Sequence, residues 1–243
     1  MWIDRTVVRF IFIDEIEQAE RKAGFFGVAS LVVDSCHYSA LKKGVDGALD
    51  QAGWKRDAEF KGRFIFSKAG DSGVVIEKRI ELVRTIVATT TAKKNARARF
   101  YFAHNGKGNS GDNYVYLVGK VVEKCPKPQN QTQDKPLVSI YLDHTTLVKP
   151  KKVEEVVEPI LADRYLKLVE TPVLLPSSNS TAGLIAADVL AYLKSWDVIF
   201  PDPGEAEQAS LFQTETQKLN AKKLADIRNI LDLIKQVEVI AAD

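Results

Sequence analysis

The stretch Phe10-Ile11-Phe12-Ile13-Asp14-Glu15 decides the fold, because an unbroken apolar run ends abruptly at two acids. Aromatic and β-branched residues without polar alternation are typical of a central strand that is buried on both faces. A carboxylate at the end of such a strand lies where sheet proteins tend to place their chemistry. The alternative interpretation is that Asp14 and Glu15 only open a turn after the strand.

The same pattern of an acid after an apolar run occurs again later in the chain. Residues 137–142 form a second apolar run, which ends at Asp143, and Asp188 is the only charged residue in the apolar segment 181–193. Because that segment has helical spacing, Asp188 has no ion-pair partner one turn away on its own helix. A buried carboxylate must be paired, neutralised or bound to a metal. The alternative is that Asp188 accepts hydrogen bonds from the polar loop 177–181.

Composition limits the class of protein. A chain of 243 residues with 45% hydrophobic content can bury one sizeable core. Cys36 and Cys125 are far apart and lack metal-ligand spacing, which predicts reduced thiols in a cytoplasmic protein. No apolar run approaches the roughly 20 residues that span a bilayer, so we expect no membrane partner.

The net charge of +2 hides an asymmetry, because residues 1–152 are net basic and the remainder is net acidic. Clusters of Lys and Arg in the basic part can attract phosphate groups and therefore nucleic acid. The alternative is an ordinary solvated surface.

The order of the predicted elements indicates an α/β fold. Strands are predicted at 7–13, 25–33, 99–103, 137–142 and 171–175, and helices at 38–53, 75–86, 152–168, 181–196 and 216–239, whereas 58–66 is expected to be extended and 114–122 fits either strand or helix. Strands that alternate with helices in the second half imply parallel pairing, hence a mixed sheet flanked by helices.

Residues 1–200 are predicted to form one domain with a loop or insert region at 104–136, followed by a helical extension over 201–243. We expect the amphipathic C-terminal helix to pack on the core. The alternative is that this helix packs on a partner subunit and makes a homo-oligomer.

Three acids in this order reproduce the carboxylate layout of RNase H-like nucleases. Mg²⁺ and Mn²⁺ prefer hard oxygen ligands and keep several waters, so a few convergent carboxylates are enough to bind them. Two such ions about 4 Å apart can activate a water and stabilise the leaving oxygen of a phosphodiester.

Five short motifs carry a resemblance to a known family. They are Phe12-Ile13-Asp14-Glu15, Phe25-Phe26-Gly27-Val28-Ala29, Glu59-Phe60-Lys61-Gly62, Ile140-Tyr141-Leu142-Asp143, and Ser178-Asn179 through Gly183-Leu184 to Ala187-Asp188. In order and spacing the chain resembles the bacterial and phage family catalogued as domain of unknown function 3800, whose members are thought to have an RNase H-like or integrase-like fold. The likeness covers about residues 10 to 195.

The resemblance implies roles for individual residues. Asp14, Asp143 and Asp188 would be catalytic ligands of Mg²⁺ or Mn²⁺, Glu59 a fourth catalytic acid, and Lys61 and Asn179 substrate-binding residues, with Lys61 on a phosphate of the nucleic-acid partner. The chain departs from the family pattern at Ile16 and Glu17, where Ser and Gly are usual, and at Ile185, where Gln is usual. Either change removes a polar neighbour that can orient a ligand.

The sequence therefore predicts a divalent-metal-dependent nuclease. The alternatives are an inactive RNase H-like module that binds nucleic acid or a protein partner, and a metal-assisted phosphoryl hydrolase that acts on a nucleotide. His144, directly after Asp143, is a minor candidate site residue, and His104 is expected to be a solvated loop residue.

Overall fold

The computed structural model describes residues 8–17, 23–55, 60–65, 73–91, 98–128, 135–176, 181–199, 225–230, 232 and 238–241. The strands in this part of the chain are β1 (Val8–Glu17), β2 (Phe26–Asp34), β3 (Arg99–Asn105), β4 (Leu137–Asp143), β5 (Lys167–Leu168), β6 (Val173–Leu175) and β7 (Glu238–Ala241). The helices are α1 (Ser35–Ala52), α2 (Ile76–Thr91), α3 (Gly111–Val122), α4 (Pro150–Asp163) and α5 (Ala182–Ile199), with a 3-10 turn over Gly62–Ile65.

All seven of these strands belong to one mixed sheet, in the order β5-β4-β1-β2-β3-β7, and β6 also pairs with β4. β1 is antiparallel to β2 and parallel to β4, whereas β3 is antiparallel to β2 and parallel to β7. The carboxyl ends of β1, β3 and β4 therefore lie at the same edge of the sheet. The predicted α/β class, a mixed sheet flanked by helices, is confirmed.

Helices cover both faces of the sheet. One core contains Phe12 together with residues of α1, α2 and α5, and the other contains Ile11 and Ile13 with residues of α3 and α4. Since side chains alternate along a strand, Asp14 continues the Phe12 face and Glu15 continues the Ile13 face. Two neighbouring acids thus lie on opposite sides of the sheet.

The structure decides the type of one segment that the sequence leaves open, and it differs from the prediction in a second segment. The segment 114–122 is helical as α3, which begins at Gly111 because the Ser110 hydroxyl accepts a hydrogen bond from the Asn113 N–H at 3.2 Å. Residues 62–65 form a 3-10 turn, although 58–66 was expected to be extended. Residues 56–59 and 66 lie outside the described residues.

Two predicted helices end differently. α4 stops at Asp163 and not at Leu168, because Tyr165 adopts a left-handed φ of 58° and residues 167–168 pair with β4 as β5. In the predicted helix 216–239, residues 225–230 are helical and bury Ile227 and Ile230 in the core, but Val239 lies in β7. None of the described helices is long and apolar enough to cross a membrane.

The close approach of α5 to the sheet depends on Gly183. A Cβ atom at this position would lie 2.2 Å from the Phe12 ring of β1. The small residue therefore sets the distance between α5 and β1, the two elements that carry Asp188 and Asp14.

Gly183→Ala should lower the free energy of unfolding by about 1–3 kcal/mol, because the added methyl group must displace either Phe12 or the helix. Urea denaturation measures the change. Gly47→Ala on α1 is the matched control, since no heavy atom lies within 4 Å of the added Cβ. This control should raise stability by about 0.5–1 kcal/mol, as a mid-helix Gly to Ala change does in open space. A Gly183→Ala protein as stable as the wild type would show that the contact with Phe12 is not tight.

Candidate active site at the edge of the sheet

Asp14 and Asp143 lie next to each other where the parallel pairing of β1 with β4 stops, although β1 itself continues beside β2 to Glu17, beyond the end at Ile13 that the sequence predicts. The β1–β4 register pairs Ile13 with Leu142, so the following residues on the two strands are Asp14 and Asp143. Adjacent strands are about 4.8 Å apart. Both residues are buried, with 4% and 6% of their surface exposed. The parallel register therefore forces two carboxylates together in a place where water is scarce.

Asp188 on α5 joins this pair from the adjoining helix. One of its oxygens, Oδ2, accepts a hydrogen bond of 2.7 Å from the Gly62 N–H. Its carboxyl group also interacts with that of Asp14. Two carboxyl groups in contact are most stable when one of them carries a proton.

The pKa values of this pair are raised. Burial, followed by the negative charges of Asp188, Glu15 and Asp143, raises the pKa of Asp14 well above its ordinary range. Burial also raises the pKa of Asp188, to about 6, although Lys61, the Gly62 N–H and the bond with Asp14 oppose the shift. Like charges forced together in a dry site share a proton, as in other paired carboxylates.

Lys61 supplies positive charge at this site. Its Nζ donates a hydrogen bond to Asp143 Oδ2 at 2.6 Å, and the ammonium group is partly buried. Burial by itself would lower the pKa of Lys61, but the bond to Asp143 and the charges of Asp14 and Asp188 raise it. Lys61 is therefore a cation within reach of all three acids.

A second polar group lies on the opposite face of the sheet, and the sequence analysis missed it. Glu15 hydrogen-bonds Thr145, and burial and the nearby Asp143 charge raise its pKa to about 7. Among the described residues, neither Glu15 Oε2 nor the hydroxyl of the fully buried Tyr114 has a hydrogen-bond partner. The period of two along β1 could have placed Glu15 on that face, but nothing local in the sequence pointed to Tyr114.

The other predicted site residues have mixed outcomes. Glu59 and Asn179 lie outside the described residues. His144 is exposed just beyond β4. The expectation of a solvated loop for His104 is wrong, since it belongs to β3 and stacks on Phe25 and Phe102 with ring centroids 5.6 and 5.9 Å away.

The two departures from the family pattern lie in apolar surroundings. Ile185 is 7% exposed and belongs to the core between α5 and the sheet. Ile16 packs partly buried against the same core. Neither side chain can orient a ligand by a hydrogen bond, whereas Lys61 and Gly62 bond Asp143 and Asp188.

The three acids have the chemistry of a metal site but not its closed geometry. Among the described residues, no three His, Cys, Asp or Glu side chains are grouped closely enough to hold an ion as they stand. The donor type nevertheless fits a divalent cation, because carboxylates from three elements interact with one another in a buried place and carboxylate oxygens are the ligands that Mg²⁺ and Mn²⁺ prefer.

Comparison with protein-family models found no match to this chain, and a search of curated proteins also found none. The family resemblance drawn from the sequence motifs therefore stays a prediction.

The raised pKa values predict that stability falls as the pH rises in the absence of divalent metal. Between about pH 4.5 and 7 the folded protein binds more protons at Glu15 and Asp188 than the unfolded chain does, so the free energy of unfolding decreases through this window. One pKa unit corresponds to about 1.4 kcal/mol, and we expect a loss on the order of a few kcal/mol. Thermal unfolding at pH 5.5 and pH 8, both with a chelator, measures it.

Glu15→Gln is the control for this pH dependence, because it keeps a side chain that can bond Thr145 but removes one titrating group. The slope of stability against pH should become shallower in this variant. A wild-type protein that gains stability from pH 5.5 to pH 8 would contradict the assignment of these carboxyl groups.

Proposed function

We propose that this protein is a divalent-metal-dependent nuclease that hydrolyses phosphodiester bonds at the Asp14, Asp143 and Asp188 cluster. The observation that carries the proposal is the meeting of these three acids, which are far apart in sequence, at one buried edge of the sheet. The Lys61–Asp143 ion pair offsets part of the negative charge of these acids, and Mg²⁺ or Mn²⁺ would neutralise more of it.

Each residue has a role in the proposal. Asp14, Asp143 and Asp188 would hold Mg²⁺ or Mn²⁺, which when bound would activate water and stabilise the leaving oxygen. Burial of Asp14 and Asp143 keeps bulk water away and strengthens the electrostatic interactions at the site. The Gly62 N–H fixes the orientation of the Asp188 carboxylate.

Membership of an RNase H-like class and a nucleic-acid partner belong to the same proposal. The sheet supports the class, because β1, β2 and β3 form an antiparallel run, β1 pairs in parallel with β4 on its other side, and the acids lie on β1, β4 and the late helix α5. The basic composition of residues 1–152 supports an anionic partner. A cytoplasmic location is proposed as well, in agreement with Cys36 and Cys125 being free thiols.

A second candidate function is a catalytically inactive module that binds nucleic acid or a protein. The Lys61–Asp143 ion pair favours it, because a lysine can neutralise part of the acid cluster without any metal. The apolar residue Ile185 favours it too, since it provides no polar contact to the site. This candidate predicts binding that weakens as salt is added, with no turnover.

Asp143→Asn should abolish metal-dependent cleavage, with a loss of more than about 100-fold, because changes to the outer partners of metal ligands alone commonly cost about 10- to 100-fold. Asp14→Asn should do the same. Cleavage of labelled single- and double-stranded DNA and RNA with Mg²⁺ or Mn²⁺, and with a chelator, measures the effect.

Asp163→Asn, at the exposed end of α4, is the matched control and should keep wild-type activity. Circular dichroism must show that each variant is folded. If Asp143→Asn and Asp14→Asn both cleave at the wild-type rate, the cluster is not the active site. If the wild-type protein binds nucleic acid but never cleaves it, the second candidate replaces the first.

A further inference from the structure

Two consecutive residues hold two of the three acids. The Lys61 ammonium lies 2.6 Å from Asp143 Oδ2, and the Gly62 N–H lies 2.7 Å from Asp188 Oδ2. Residues 60–65, which we call the clasp, therefore contact the acids of both β4 and α5. The aromatic ring of Phe60 anchors the clasp in the core, 5.0 Å from the ring of Trp54.

The clasp is fitted closely to α5. A Cβ atom on Gly62 would lie 2.8 Å from the Tyr192 Cβ, 2.9 Å from the Asp188 carbonyl oxygen and 3.0 Å from Asp188 Oδ1. Only glycine lets the backbone come this near to the helix. This close fit places the ammonium group of the preceding residue, Lys61, among the acids. The contact between Lys61 and Asp143 is therefore fixed by the packing of the backbone and is not an incidental surface pair.

An ammonium group and a divalent cation both bind to the lone pairs of carboxylate oxygens. Lys61 already bonds Asp143 Oδ2, and two positive groups cannot occupy one small buried site without strong repulsion. The Lys61–Asp143 ion pair therefore puts a positive charge where a metal ion held by Asp143 would lie.

We propose that Lys61 is an internal counter-ion that competes with the divalent cation, so that metal binds in exchange for the Lys61–Asp143 ion pair. The inference rests on the proposed function, because it concerns the same site. It also changes the role that the sequence predicts for Lys61, since this side chain must leave Asp143 before it can contact a phosphate.

The test is the affinity for Mn²⁺ alone, measured by the loss of the free-ion signal in electron paramagnetic resonance. Lys61→Met removes the competing charge and keeps a long side chain, and it should bind Mn²⁺ about tenfold more tightly than the wild type or better. Lys61→Arg keeps the charge and should bind no more tightly than the wild type. Lys42→Met is the matched control, because Lys42 pairs with Asp46 on the exposed side of α1, and its affinity should be unchanged.

Thermal unfolding gives a second readout that needs no activity. Without metal Lys61→Met should melt below the wild type, because the buried acids lose a cation, and Mn²⁺ should raise its melting temperature by more than it raises that of the wild type. If Lys61→Met does not fold, Lys61→Gln replaces it, since the amide can still donate to Asp143, and the same order of affinities is expected.

The failures of the two proposals are distinguishable. Equal or weaker Mn²⁺ binding by the neutral Lys61 variant, with clear binding by the wild type, overturns the exchange and leaves the metal site standing. Absence of Mn²⁺ binding in both proteins overturns the exchange and the metal-dependent function together.

Discussion

The site depends on one constraint, which is the electrostatic repulsion among three carboxylates that the fold brings together in a buried position. The parallel register of β1 and β4 brings Asp14 beside Asp143, and α5 adds Asp188 from above the sheet. Full ionisation of all three without compensation would be costly away from water. Two features reduce this repulsion: the raised pKa values of Asp14 and Asp188 favour a protonated carboxyl group in that pair, and the ammonium group of Lys61 bonds Asp143.

The elements that carry the acids are packed so closely that added side-chain atoms at two glycines would clash with their neighbours. Gly183 brings α5 against Phe12, and Gly62 brings the clasp against Tyr192 and the backbone of Asp188. In both places the absence of a side chain sets a distance between two backbones. The geometry of the acids is therefore fixed by residues that have no chemistry of their own, which is how a rigid scaffold usually supports a charged site.

Part of this arrangement could be predicted from the sequence. Asp14, Asp143 and Asp188 were identified because each interrupts an apolar run, and an acid in such surroundings is informative whatever the fold. The contacts of Lys61 with Asp143 and of Gly62 with Asp188 span 82 and 126 residues, and no local pattern encodes such separations. The same reason applies to Tyr114, which reaches the acids only through the packing of α3.

The differences between the predicted and the observed secondary structure also arise where local sequence does not determine the outcome. The segment 114–122 remained ambiguous because a short, almost wholly apolar run buries equally well as a strand or as a helix, and the Ser110 cap decides between them. Val239 continues a helical pattern, yet it lies in a strand because β3 provides an open edge for it. Tertiary pairing overrode local preference there.

That late strand has a consequence for biosynthesis. Until residues 238–241 leave the ribosome, the outer edge of β3 from Tyr101 to His104 has no β7 to pair with, and unpaired backbone of this kind recruits other chains. A nascent polypeptide would therefore expose the unpaired backbone of β3 until β7 has been synthesised, and chaperone protection of this strand would favour soluble yield.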